Sequence, residues 1–391
     1  MFESITITRS ASRPAGQRID FGFLLECLLF YKQVHLVVND DGIPQLVQAF
    51  GLDLLTELVE DGVLVVHYEH DHMGIQTHRA SGKEWHAPIA FWVEGRSVTR
   101  ALHKASRLTG LKGAKVTQAC NRLIAKVQTL KRDKDLLEAA SLRLSDQNFL
   151  EEAVPLALRK HFPTYDKPVR FKATREAEGF IIETDIPFGF LNAVRKAFQH
   201  EEVGPALLLD EICRVEDDMN LAAAHLSEIA TDGLGNHLLK LRFSQLARRL
   251  EKSDDVRSQF VELAIGEAKS LRHALDFDPA SMRKIVDAIL AAKKFKDWLV
   301  AQPPNTDVIR EYVRSVTEPS IFDKLPSKSV RWAIFQGLGL VADATFAGGL
   351  GTASGMAIGA IDSFLIDQVF NRWKPNQFVD DHLRPLLVGK E

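Results

Sequence analysis

Residues 34–69 read VHLVVNDDGIPQLVQAFGLDLLTELVEDGVLVVHYE. The first five are rich in β-branched side chains, and so is the closing VLVVHYE. Between them Leu46, Phe50, Leu54 and Leu58 recur at helical spacing. Strand, helix and strand within about 35 residues predict a βαβ unit with parallel strands and a right-handed crossover. The preceding stretch FGFLLECLLFY contains Glu26 and is too short to span a bilayer, so it reads as a buried helix.

Beyond residue 90 the periodicity is mainly helical. The exception is Val169–Ile186, where polar and apolar residues alternate on both sides of Glu178-Gly179, a hairpin signal. Asp278-Pro279 places a capping side chain before a proline suited to the first helical turn, and Met282, Ile285, Ile289 and Leu290 follow on one face. The expected fold is α+β and predominantly helical. A small α/β unit spans 1–90, a helical body with a β-hairpin at about 168–186 spans 91–326, and a glycine-rich helical hairpin and tail span 327–391.

The 391 residues are 46% hydrophobic and 26% charged, the composition of a folded chain, and at this length two or three units are expected. A formal net charge of −3 gives no global pull toward nucleic acid or anionic lipid. Cys27, Cys120 and Cys213 are isolated and odd in number, which excludes a disulfide framework or a CxxC zinc cluster. With no signal-peptide pattern at the start, a cytoplasmic location is expected. The GxxxxGK[ST], HExxH and GxSxG motifs are absent, and Gly349, Gly351 and Ser354 miss the third glycine of GxGxxG.

Three local features carry the functional reading. The first is HYEHDHMGIQTH, in which histidines and carboxylates interleave. Imidazole nitrogen and carboxylate oxygen suit zinc, manganese or iron. With Asp40 and Asp41 at the carboxyl end of the first strand, where open α/β sheets bind ligands, the metal candidates are Asp40, Asp41, His67, Glu69, His70, Asp71, His72 and His78. Strand alternation separates His67, Glu69 and Asp71 from His70 and His72, and a turn at Met73-Gly74 is expected to bring Glu69 opposite His78. Asp40, Glu69 and His70 are the candidate catalytic groups, and a divalent metal ion is the cofactor such a set calls for.

The second feature is charge. Arg96 to Lys134 carries eleven Lys or Arg against one Asp. Arg100, Lys104 and Arg107 share one helical face and Lys115, Arg122 and Lys126 another, which makes them candidates for holding a polyanion such as nucleic acid or anionic lipid. The third is FAGGLGTASGMAIGAIDSF. Gly351, Gly355 and Gly359 lie four apart and strip one helix face for close packing. Large apolar residues are too few to favour membrane insertion, so two helical arms, near 330–347 and 351–371, are expected to pack tightly or self-associate.

Two function classes follow. One is a non-enzymatic interaction or effector protein, whose helical body binds a protein partner and whose small-residue hairpin packs, oligomerises or inserts. The other is a metal-dependent hydrolase of phosphoesterase or nuclease type, built on the Asp/His/Glu cluster with the basic helices holding a polyanion. In the absence of a specific catalytic motif, the sequence favours the first.

Overall fold

In the computed structural model, the structure describes residues 3–12, 18–92, 95–108, 113–197, 201–249, 262–264, 279–301 and 330–332. Strand, helix and strand fall where the central stretch places them. β2 (Gln33–Val38), α3 (Gly42–Glu60) and β3 (Leu64–Glu69) form the βαβ unit, and the two strands pair in parallel with His35 opposite Val65 and Val37 opposite His67. The Asn39 side chain accepts hydrogen bonds from the Asp41 and Gly42 amides at 3.2 Å each, which starts α3. Gly51, at φ +73°, kinks it midway.

This unit is the middle of a larger sheet. β1 (Ser4–Ile7), β6 (Gln128–Leu130) and β9 (Glu228–Thr231) join it in the parallel order β9-β1-β2-β3-β6. β10 (Glu262–Ala264) and β11 (Val330–Trp332) extend the β9 edge in antiparallel fashion. The sheet therefore draws strands from both sides of residue 90. Val330–Trp332, expected to open a helical arm, instead satisfies the backbone groups that β9 would otherwise leave unpaired. Gly351, Gly355 and Gly359 lie outside the described residues.

The crossovers carry the helices. α1 (Arg9–Ser12) and α2 (Phe21–Phe30) lie between β1 and β2. α4 (Val98–Leu108) and α5 (Ala114–Lys126) lead to β6, and α6 (Lys134–Leu144), α7 (Gln147–His161), α8 (Phe188–Ala197) and α9 (Pro205–Ala224) lead to β9. After β9 come α10 (Gly233–Arg249), α11 (Pro279–Ala291) and α12 (Lys293–Ala301). Among the described residues, no helix is long and apolar enough to cross a membrane.

A second, antiparallel sheet has the order β4-β5-β8-β7, from β4 (Asp71–Ala80), β5 (Lys83–Trp92), β7 (Phe171–Glu176) and β8 (Gly179–Thr184). The β7–β8 hairpin matches the alternation seen around Glu178-Gly179. The turn expected at Met73-Gly74 does not form: β4 runs unbroken through it, and the chain reverses at Ser81 and Gly82, with φ +50° and +76°. Two consecutive left-handed residues match the right-handed twist of the flanking strands, which fixes the reversal there.

The parallel sheet has two unlike faces, as alternation requires. Ile5, Ile7, Val34, Leu36, Val38, Leu64 and Val66 point into a core shared with α2, α3, α4, α5 and α11. The opposite face carries Thr6, His35, His67, Glu69 and Thr231, all buried. There Ile229 packs with Leu208, Leu209 and Ile212 of α9. Buried polar groups need partners, so this face is where chemistry is to be sought.

Candidate metal centre

Three imidazoles converge on the polar face. His35 comes from β2, His67 from β3 and His225 from the turn after α9. The parallel register sets His35 diagonally beside His67, and His225 closes over both. Ring centroids are 5.2 Å apart for His35 and His67, 4.1 Å for His35 and His225, and 4.7 Å for His67 and His225. One ligand nitrogen from each ring lies within 4.8 Å of the other two. His35 Nδ1 and His67 Nε2 are 2.9 Å apart, close to the separation of about 3.3 Å that two nitrogens take on a tetrahedral zinc.

His35 is 3% exposed and His67 is 0% exposed, while His225 is half-buried. Burial, reinforced by the neighbouring His225, lowers His35 to a pKa of about 4. Burial again, then His225 and His35, lowers His67 to about 3, and burial lowers His225 as well. Imidazoles in this state are neutral at pH 7, the form that binds metal.

His35 Nε2 and His67 Nδ1 have no hydrogen-bond partner among the described residues. The two rings share one proton across the 2.9 Å contact, so in either tautomer pair one outer nitrogen is a bare lone pair and the other an unmatched N–H. Each buried, unmatched group costs about 1–3 kcal/mol. A divalent ion between His35 Nδ1 and His67 Nε2 would take both inner nitrogens as ligands, and each outer nitrogen would then carry its ring's proton.

Of the eight metal candidates read from the sequence, His67 alone joins this cluster. Asp40 accepts a hydrogen bond from Tyr68 and pairs with Arg96 Nε at 3.1 Å, and Asp41 is exposed ahead of α3. His72 stacks on Phe91 and His78 on Trp85 along the β4–β5 hairpin, and the His70 ring lies 6.2 Å from that of Trp92. Glu69 follows His67 by two positions on the same strand face, at about 6.6 Å along the strand. It pairs with Arg9 at 3.1 Å and Arg132 at 3.3 Å. Arg132 also reaches Asp217 Oδ2 at 2.5 Å and the Asp71 carbonyl at 2.6 Å, while its amide donates to the Asp71 carboxylate at 3.0 Å. On α9, burial and the charges of Asp217, Asp232 and Glu69 push the Asp218 carboxyl well above the usual carboxylate range, against the pull of Arg214.

The sequence reading missed His35 and His225. The available signal was a lone histidine inside the apolar run Val34–Val38, together with the polar alternation Ser4, Thr6, Thr8. His225 stands alone after Ala222–Ala224 and gives no local sign. The cluster also lies at mid-strand, so the expected location at the carboxyl ends of the strands does not hold for it.

Leu226 follows His225 with φ +48° and is 67% exposed. A left-handed leucine costs about 1–2 kcal/mol. Leu226→Gly is therefore expected to raise stability by about 1 kcal/mol, read as a higher urea midpoint at unchanged slope.

The six basic candidates Arg100, Lys104, Arg107, Lys115, Arg122 and Lys126 are exposed on α4 and α5. Arg122 is engaged bidentately by Glu60, with its Nε at 2.7 Å, and Arg100 reaches the Gly95 carbonyl at 3.1 Å. No family model, no curated protein and no solved structure matches this chain, so any functional assignment rests on the geometry above.

Proposed function

We propose that the protein is a metal-dependent hydrolase whose divalent ion is held by His35, His67 and His225. The observation that carries this is the convergence of three neutral imidazoles, from three separate elements, with ligand nitrogens within 4.8 Å of one another. An all-nitrogen set suits zinc, cobalt, nickel or copper over magnesium and calcium. Three protein ligands leave a coordination position free, the pattern of catalytic rather than structural sites. When bound there, a divalent ion supplies Lewis acidity and lowers the pKa of water to about 7.

The chain's own residues supply the remainder. His35 and His67 form the buried sheet side of the cluster, and the half-buried His225 is its most exposed member. Glu69, steered by Arg9 and Arg132, holds a carboxylate on the same face.

The test is metal content together with activity. Purified protein is expected to carry, or take up, one equivalent of zinc or cobalt, and to hydrolyse a member of a phosphoester and carboxyl-ester panel in its presence. His67→Ala is expected to lose both the ion and the activity. Wild-type protein that takes up neither ion, or a His67→Ala variant that holds it as tightly as wild type, would remove the proposal.

A further inference from the structure

The turn that delivers His225 is built more tightly than a connection needs to be. α9 ends at Ala224 and β9 begins at Glu228, so His225, Leu226 and Ser227 make the whole link. The Ala222 carbonyl accepts from the His225 amide at 3.3 Å, from the Ser227 amide at 3.0 Å and from Ser227 Oγ at 3.3 Å. A carbonyl has no proton to give, so the Ser227 hydroxyl donates there. The proton in the 2.6 Å contact between Thr6 Oγ1 and Ser227 Oγ therefore comes from Thr6.

Thr6 stands directly beside His35 in the β1–β2 pairing, and both Thr6 and Ser227 are fully buried. An unbroken polar route thus runs from the strand beside His35, through Thr6 and Ser227, to the carbonyl that holds the His225 amide. Leu226 takes the strain. Its left-handed backbone puts an apolar side chain into solvent, and the residues on either side of it both engage the sheet, His225 on His35 and Ser227 on Thr6. Backbone strain of this kind persists only where its surroundings over-determine it.

We infer that the Thr6–Ser227 hydroxyl pair is a positioning device that carries His225 to the ion held by His35 and His67. The inference rests on the three-histidine reading above. The pair touches neither ion nor substrate. It acts through His225, as partners outside the ligand set orient the ligands themselves.

The experiment titrates the 391-residue chain with Co²⁺ alone and follows visible absorption, with circular dichroism as the check on folding. Ser227→Ala and Thr6→Val are each expected to weaken Co²⁺ binding by about 10- to 100-fold and to alter the spectrum, while Ser227→Thr, which keeps the hydroxyl, retains both. In a His225→Ala background, Ser227→Ala is expected to add no further loss, because the two changes remove the same ligand. Should alanine at 227 unfold the chain, Thr6→Val reads the same pair from the other side with threonine's shape kept. Wild-type affinity and spectrum in Ser227→Ala or Thr6→Val would overturn the inference while leaving the three-histidine site standing. An undiminished further loss in the His225→Ala background would overturn it too, since the pair would then act by another route. A wild type that binds no Co²⁺ is a separate outcome, and it would remove the site itself.

Discussion

Arg132→Ala is expected to cost the fold about 3–5 kcal/mol, the loss typical of removing one partner from a buried ion pair. The Arg132 side chain is 5% exposed and hydrogen-bonds to three groups on three elements. Nε lies 3.1 Å from each oxygen of Asp217, Nη2 lies 2.5 Å from Asp217 and 3.3 Å from Glu69, and Nη1 donates to the Asp71 carbonyl at 2.6 Å. Truncation leaves Asp217 uncompensated and Glu69 with Arg9 as its remaining charged partner among the contacts described. Water cannot restore what the fork supplied without opening the seam between β3, β4 and α9. Arg132→Lys keeps the charge but loses the planar fork, so an intermediate loss is expected. Arg9→Ala removes the other cation on Glu69, yet its side chain is half-exposed, and less than about 1 kcal/mol is expected. Urea denaturation of the three variants gives the order directly. An Arg132→Ala variant within 1 kcal/mol of wild type would mean that the network is a surface ornament.

Lys296→Met is expected to stabilise the protein by about 3 kcal/mol at pH 7, with a gain that fades as pH rises. Lys296 lies on α12, 3% exposed, beside Phe295 and Ala292 of the apolar core. Burial lowers its pKa from 10.5 to about 8, and the charge of Asp61 recovers only part of the loss. Below pH 8 both folded and unfolded chains carry the proton, and the cost of the buried charge is fully present. Between pH 8 and 10.5 the folded chain has released a proton that the unfolded chain still holds, so wild-type stability rises with pH through that window. Methionine has no proton to release and fills a similar volume. Subtracting the variant's stability profile from that of wild type isolates this one group from the other residues that titrate in the range. Parallel profiles between pH 7 and 10.5 would show that the ammonium reaches water after all.

The parts of the fold that sequence revealed are those in which pairing partners lie close together in the chain. The βαβ unit follows from β-branched runs flanking a helical period, and the β7–β8 hairpin from alternation around Glu178-Gly179. β1, β6 and β9 are three or four residues long, too short for a period to show, and β9 finds β1 across more than two hundred residues. The site divides in the same way. His70, His72 and His78 look like a cluster because they are neighbours in sequence, yet β4 and its surroundings set each ring against a different aromatic partner. His35 and His67 look unrelated until the β2–β3 register is known, and His225 is placed by a turn that forms only once α9 crosses the sheet.

That crossing has a consequence in time. The His35–His67 contact spans 32 residues of chain, whereas the Thr6–Ser227 bond beside the His225 turn spans 221. Closing the longer loop costs about 2 kcal/mol more in chain entropy, and contacts of such separation form late. During synthesis His225 cannot arrive until the antiparallel sheet and α6 through α9 have left the ribosome. If the three-histidine proposal holds, a nascent chain offers an incoming ion two ligands at most until β9 pairs with β1.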